Sequence, residues 1–162
     1  MNNRIGQGTD VHQLIAGTPL IIGGVSIPYS RGSKGHSDGD VLYHAIVDAI
    51  LGALALGDIG QHFPSDNKRW KDAHSRKFLE HAQNLIQEKG FSAINIDATV
   101  ILQKPSISSY VLEMRKNIAC VLSISVDAVS VKATTTDHLG FTGSGEGIAA
   151  TAIALLAKTD GN

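Results

Sequence analysis

A chain of 162 residues with 43% hydrophobic and 18% charged side chains fits one globular domain with its own core. Fourteen basic residues stand against 15 acidic ones, for a net charge of −1. That balance gives no electrostatic footprint for a nucleic-acid backbone or an anionic membrane surface. No apolar run reaches the roughly 18 residues of a membrane-spanning helix, and the opening MNNRIGQGTDVH lacks the basic-then-apolar order of a secretory signal. The expected compartment is the cytoplasm, although a plastid protein stripped of its transit peptide would read the same. The single cysteine, Cys120, excludes an intrachain disulfide, and its place in the apolar-periodic stretch Tyr110 to Leu122 predicts a buried, inert thiol.

In chain order, Arg4 to His12 reads as a strand. Leu20 to Tyr29 holds two β-rich runs around Gly23-Gly24, a two-residue hairpin signal. Residues 30 to 37 form a polar, glycine-containing loop. A long helix is expected from Asp38 to Leu56, with Leu42, Ile46, Ala49, Ile50, Ala53 and Leu54 on its apolar stripe and Ser37 and Asp40 as a capping box. A second helix is expected from Asp72 to Lys89 with Gly90 as its C-terminal stop, then a strand from Ile94 to Leu102 and a helix from Ser109 to Leu122. A strand from Val129 to Thr135, a glycine-rich loop and an apolar helix from Ile148 to Lys158 complete the chain. The period switches repeatedly between two and 3.6, which predicts mixed α and β structure without repeats.

Asp10 and His12 stand two apart on a strand, so their side chains share a face and can converge on one ion. A surface Asp-x-His pair without metal has the same spacing. A third candidate is His44, which shares a polar helix line with Asp40 and Asp48 at i, i+4 and i+8. Two imidazoles and a carboxylate suit Zn²⁺ and leave a fourth tetrahedral position open, as catalytic zinc sites do. Asp48 could fix the tautomer of His44, or His44 could be a surface histidine paired with Asp40 or Asp48. A second constellation runs from Lys132 through Thr134, Thr135, Thr136 and Asp137 to the glycine-rich stretch Leu139 to Gly147. Hydroxyls, small residues and a following helix N-terminus would suit phosphate oxygens. There is no Walker pattern, and a ligand-free connecting loop has the same composition. Gly57-Asp58-Ile59-Gly60 offers a further carboxylate in a turn.

These motifs, in this order, resemble the 2-C-methyl-D-erythritol 2,4-cyclodiphosphate synthase family over residues 3 to 158. The opening strand carries Arg4-Ile5-Gly6, Gly8 and Asp10-Val11-His12; the loop and helix carry His36-Ser37-Asp38-Gly39-Asp40 and His44. Gly57 to Gly60 with His62-Phe63-Pro64, then Lys132 to Thr136, Leu139 to Gly143 and Gly145 to Gly147, complete the match. The resemblance implies a single α/β (α+β) domain spanning 1–162, a mixed β-sheet with helices on one face, and a homotrimer with active sites between subunits. It implies zinc on Asp10, His12 and His44, and Mg²⁺ or Mn²⁺ with the substrate, for which Asp137 is the protein ligand. The implied substrate is 4-diphosphocytidyl-2-C-methyl-D-erythritol 2-phosphate, the implied products a cyclic diphosphate and CMP, and the implied class a phosphorus-oxygen lyase of isoprenoid-precursor synthesis. By position, His36 and Thr135 would stabilise the transition state. Substrate contacts would fall on Asp10, His12, His36, Ser37, Asp58, Ile59, Gly60, Phe63, Thr134, Thr135, Thr136, Asp137, Phe141 and Ser144. The cytosine would sit on Leu102, Pro105, Ser106, Ile107 and Ser108, largely through backbone groups.

The chain departs from the family pattern in several places. Asp137 stands where glutamate is usual, His138 where lysine is usual, and Ser65 follows Pro64 where an aspartate is usual. Lys104 to Ser108 keeps the proline but not the usual side chains. Thr9 and Ser144 occupy positions where the family often has phenylalanine and arginine along the trimer axis. Without the arginine, tight binding of an isoprenoid diphosphate there is not expected. Two other classes fit the metal spacing taken alone: a zinc phosphohydrolase, and a trimeric module whose metal only stabilises the fold.

Overall fold

The computed structural model describes residues 2–35, 37–64, 66–67, 70 and 73–159. The chain opens with a long strand, β1 (Asn3–Ala16), followed by a small hairpin of β2 (Leu20–Ile22) and β3 (Val25–Ile27). Gly23 and Gly24 connect the hairpin with φ of 59° and 71°, the paired positive values that a tight two-residue turn requires. β4 (Arg31–Ser33) follows, a strand inside the stretch expected to be loop; it adds to the edge of the sheet by pairing with the end of β1. Then come α1 (Val41–Ala53), the short α2 (Ile59–His62), α3 (Arg76–Glu88), β5 (Phe91–Ile101), α4 (Val111–Leu122), β6 (Val129–Thr134), the four-residue α5 (Gly140–Gly143) and β7 (Gly147–Lys158). Single 3-10 turns at Ser108–Tyr110 and Val126–Ala128 precede α4 and β6.

Five strands form one mixed sheet in the order β4-β1-β7-β5-β6, with β5 and β6 parallel and all other neighbours antiparallel. The register defines two faces. Gly8, Ala152, Ala98 and Val131 form one cross-strand row and are buried; Thr9, Thr151, Thr99 and Lys132 form the adjacent row on the opposite face. α1 lies across β1 and β7 on the buried face and packs against α3, while α4 covers β6. On the other face Ile5, Val11 and Ile153 remain 71%, 50% and 49% exposed. Among the described residues, no helix is long and apolar enough to cross a membrane.

Four expectations need correction. Residues 148 to 158 form a strand and not a helix. Ile148, Ala150, Ala152, Ala154 and Leu156 are buried on one face, but Ala149 is buried on the other, where Ile153, Leu155 and Ala157 are apolar too, which hides the period of two. A position between two long partner strands overrides the helix preference of an alanine-rich run. α1 begins at Val41, with Asp40 as its N-cap accepting from the amide of Tyr43, and the Ser37 hydroxyl takes no part in that cap. Cys120 is exposed, because Met114, Ile118, Val121 and Leu122 form the buried stripe of α4 and Cys120 lies off it. α3 starts at Arg76, later than expected, and Asp72 lies outside the described residues.

Candidate metal centre and its surroundings

The even-numbered residues of β1 face α1, and two of them are glycines for a geometric reason. A Cβ on Gly8 would lie 2.0 Å from the carbonyl oxygen of Ala45, and one on Gly6 would lie 1.9 Å from that of Ala49. The helix backbone therefore rests directly on the strand backbone. Continuing along the same face, Asp10 and His12 meet the first turn and a half of α1, where His44 is carried.

The three side chains converge. Asp10 Oδ2 lies 2.8 Å from His12 Nε2 and 3.1 Å from His44 Nδ1, and the two ring nitrogens are 3.2 Å apart. His12 is held from behind, its Nδ1–H donating to the carbonyl oxygen of Lys34 at 3.0 Å, which leaves the Nε2 lone pair turned inward. His44 is 8% exposed, and its Nε2 lies 2.8 Å from Ser75 Oγ and 3.2 Å from Ser37 Oγ. Burial would raise the pKa of Asp10, but hydrogen bonds and charge from His12 and His44 outweigh it and hold the carboxyl well below the usual carboxylate range. Burial lowers that of His12, and Asp10 reverses the effect to a net rise.

The donor set fits a small divalent ion. Ligands around a tetrahedral centre with bonds of about 2.0 Å stand about 3.3 Å apart. The observed separations of 2.8, 3.1 and 3.2 Å are close to that spacing before any ion pulls the donors into place. Among the described residues this trio forms the one cluster of histidine, cysteine or carboxylate groups able to hold a metal.

The polar line expected on α1 has a different meaning in the structure. Asp40 is fully buried and accepts from the amides of Gly23 and Gly24 at 2.9 and 2.7 Å, as well as from that of Tyr43, so it ties the hairpin to the helix start. Asp48 accepts from the amide of Ile59 at 2.7 Å and fixes the loop after α1, not the tautomer of His44. α1 is buried nearly all round, so a polar residue on it meets another element and not solvent.

A cavity of about 560 Å³ opens beside His12 and His44, and Ser37, Ile59, Gly60 and Phe63 line it as well. Phe63 packs at 4.3 Å on Phe78 and at 4.9 Å on Trp70, giving the pocket an aromatic wall. Asp58 caps α2 by accepting from the amide of Gln61 at 2.9 Å. His36, expected near this cavity, and Ser65 lie outside the described residues.

Leu102, Pro105, Ser106, Ile107, Ser108, Thr134 and Thr135 line a second cavity of about 230 Å³ that, among the described residues, shares none with the first. The Lys104-Pro105 bond in its rim is cis. Asp137 and His138 follow with φ of 51° and 65°, and Thr135 Oγ1 donates to Asp137 Oδ1 at 3.3 Å. The expected helix N-terminus after this loop is absent, since only the four-residue α5 and then β7 follow. Thr136 turns inward to bond the Leu139 carbonyl and Thr142, Phe141 is half exposed, and Ser144 bonds Glu146. Sequence reading missed Ser75, the contact role of Asp38 and the Lys34 carbonyl. None has a spacing signal, because each reaches the site only once α3 or β4 has docked.

Residues 3–157 match the model of the YgbB family. A 2-C-methyl-D-erythritol 2,4-cyclodiphosphate synthase of Alkaliphilus oremlandii is 57% identical over 155 residues, covering 96% of this chain and 99% of that one. The structure of an IspF from Plasmodium falciparum in complex with CDP superposes with a TM-score of 0.87 at 40% identity, covering 98% of both chains. The bifunctional IspDF of Campylobacter jejuni gives a TM-score of 0.94 at 42% identity, where the match covers 98% of this chain and 43% of that longer one.

Proposed function

The chain belongs to the YgbB family, that of the 2-C-methyl-D-erythritol 2,4-cyclodiphosphate synthases, and on that premise we propose that it converts 4-diphosphocytidyl-2-C-methyl-D-erythritol 2-phosphate into the 2,4-cyclodiphosphate and CMP. In the reaction the substrate's own 2-phosphate oxygen forms a bond to the β-phosphorus as the bond from that phosphorus to the CMP oxygen breaks. No water enters, which makes the enzyme a phosphorus-oxygen lyase of the non-mevalonate isoprenoid route. The observation that carries this reading is the convergence of Asp10, His12 and His44 at the mouth of a pocket large enough for a phosphorylated polyol.

Two imidazoles with one carboxylate favour zinc, which when bound would polarise a phosphoryl oxygen of the substrate. The residues of the chain have the tasks of placement and water exclusion. Asp10 and His12 hold the donor face, Ser37 contacts the substrate, His36 stabilises the transition state, and the Phe63 wall keeps water from the reacting phosphorus. Asp58, Ile59 and Gly60 take the ribose side. On the second cavity Leu102 and Pro105 to Ser108 take the cytosine, and Thr134 and Thr135 the phosphates, with Thr136 behind them held by the Leu139 carbonyl and Thr142. Thr135 stabilises developing charge, and Asp137 carries the Mg²⁺ or Mn²⁺ that accompanies the substrate, directly or through a water.

The proposed assembly is a homotrimer with each active site between neighbouring copies. Support comes from the exposed Ile5, Val11 and Ile153 on the open sheet face, and from the two cavities, which among the described residues have no lining residue in common. Nucleic acid and membranes are not proposed as partners, and the cytoplasm is the proposed compartment. Incubation of the zinc-loaded protein with the cytidine substrate and Mg²⁺, followed by phosphorus NMR, tests the reading. CMP with a cyclic diphosphate from wild type but not from His44→Ala is the expected result; CMP with an open-chain bisphosphate would make the protein a hydrolase instead.

A further inference from the structure

Ser75 stands at the N-cap of α3, where a serine hydroxyl ordinarily accepts from an amide two or three residues on. Here it makes no such bond, although Ser75 is fully buried. Its oxygen instead lies 2.8 Å from His44 Nε2, and its proton goes to Asp38 Oδ1. The other oxygen of that carboxylate accepts from the Ser75 amide at 3.0 Å, so Asp38 grips this one residue with both oxygens.

The direction of these bonds follows from proton counting. A serine hydroxyl has a single proton, and a carboxylate can only accept, so the Ser75 oxygen is left to accept from the ring. Nε2 of His44 must then carry the ring proton, and Nδ1 presents its lone pair toward Asp10 Oδ2 and His12 Nε2. The opposite tautomer would set two lone pairs against each other at 2.8 Å and put a proton where a metal belongs. Ser37 Oγ, at 3.2 Å from Nε2, already accepts from the amide of Gly39 and offers only a longer alternative.

We infer that Ser75 and Asp38 are positioning residues that hold His44 as its Nε2–H tautomer and so present Nδ1 as a metal donor. This rests on the metal reading proposed above for Asp10, His12 and His44. It also means that the start of α3, far from β1 in sequence, sets the quality of a metal site built on β1 and α1. A hydrogen-bond partner behind a ligating histidine typically changes metal affinity about 10–100-fold.

The test uses the full chain and needs no substrate. Zinc affinity is measured by competition with a chromophoric chelator, and the His44 tautomer is read from nitrogen-15 imidazole NMR of the metal-free protein at pH 8. Wild type should show a single Nε2–H form for His44. Ser75→Ala should weaken zinc about 10–100-fold and populate the other tautomer, while Ser75→Thr, which keeps the hydroxyl, should restore the wild-type tautomer. Should Ser75→Ala fail to fold, Asp38→Ala decides, because it leaves Ser75 in place and removes both carboxylate oxygens, including the one that claims its proton. Unchanged affinity and an unchanged tautomer in the folded variant overturn the inference. Lack of CMP production by wild type would count against the proposed reaction and leave this result intact.

Discussion

Replacing Gly8 by alanine tests whether backbone contact between β1 and α1 sets the metal geometry. The new Cβ would lie 2.0 Å from the carbonyl oxygen of Ala45 and 2.6 Å from the amide nitrogen of Ala49, both main-chain atoms that cannot move without the helix. Restoring an ordinary contact of about 3.5 Å requires the helix to retreat by about 1.5 Å. His44 travels with it, so its 3.1 Å separation from Asp10 Oδ2 opens well past the roughly 3.3 Å spacing of tetrahedral ligands. Overpacking of this kind costs about 1–3 kcal/mol of stability. Zinc affinity should fall at least about 100-fold, equivalent to about 2.7 kcal/mol. Gly52→Ala is the control. It is exposed on the same helix, its Cβ would have no atom nearer than 3.8 Å, and it should gain about 0.5–1 kcal/mol without changing zinc binding. Urea unfolding and chelator competition on both variants provide the measurements. A folded Gly8→Ala protein that binds zinc within about threefold of wild type would refute the argument, since a difference under 1 kcal/mol could not accompany such a displacement.

Asp40→Asn keeps one acceptor oxygen for Gly23 and Tyr43 but sets an NH₂ against the amide of Gly24; the urea midpoint should drop by the equivalent of about 1–3 kcal/mol. Stripping the metal with a chelator should abolish turnover yet leave far-UV circular dichroism intact, because the core is built from the sheet with α1, α3 and α4 and not from the metal trio. The melting temperature should fall by about 5–10 °C, the shift expected when a ligand at about 100 times its Kd is withdrawn from a domain of this size. Burial and the nearby His62 hold His81 below its ordinary pKa of 6.5. The folded state then resists taking up that proton, so the contribution of His81 is complete above pH 6.5 and is lost as pH falls through 6.5 toward the depressed value. Thermal melts from pH 8 to pH 5 should show this decline in wild type and a shallower one in His81→Gln.

The hairpin around Gly23-Gly24 and the core stripe of α1 were legible in the sequence because each has a purely local cause, a turn that needs two positive φ values and a helix with a regular apolar repeat. Asp10 and His12 were legible for the same reason, since strand alternation alone puts them on one face. The misread segments depend on neighbours. Residues 148 to 158 are helix-like by composition and become a strand only because β1 and β5 flank them. Asp40 and Asp48 resembled partners of His44 because helical spacing aligned them, whereas their amide partners lie in the hairpin and at the first residue of α2. Ser75 gave no signal, as nothing near it in the chain suggests that its hydroxyl points away from its own helix.

The placement of β7 affects how the protein is made. Asn3 pairs with Ala157 and Gln13 with Gly147, so β1 is made more than a hundred residues before β7 and waits for it to gain this partner. β5 also pairs along β7, and α1 packs on both β1 and β7. Asp10, His12 and His44 are therefore synthesised well before β7, the strand that completes the sheet setting their spacing. Contacts at such long sequence separation slow folding. During synthesis the nascent chain exposes metal-binding side chains before it has the frame that gives them selectivity.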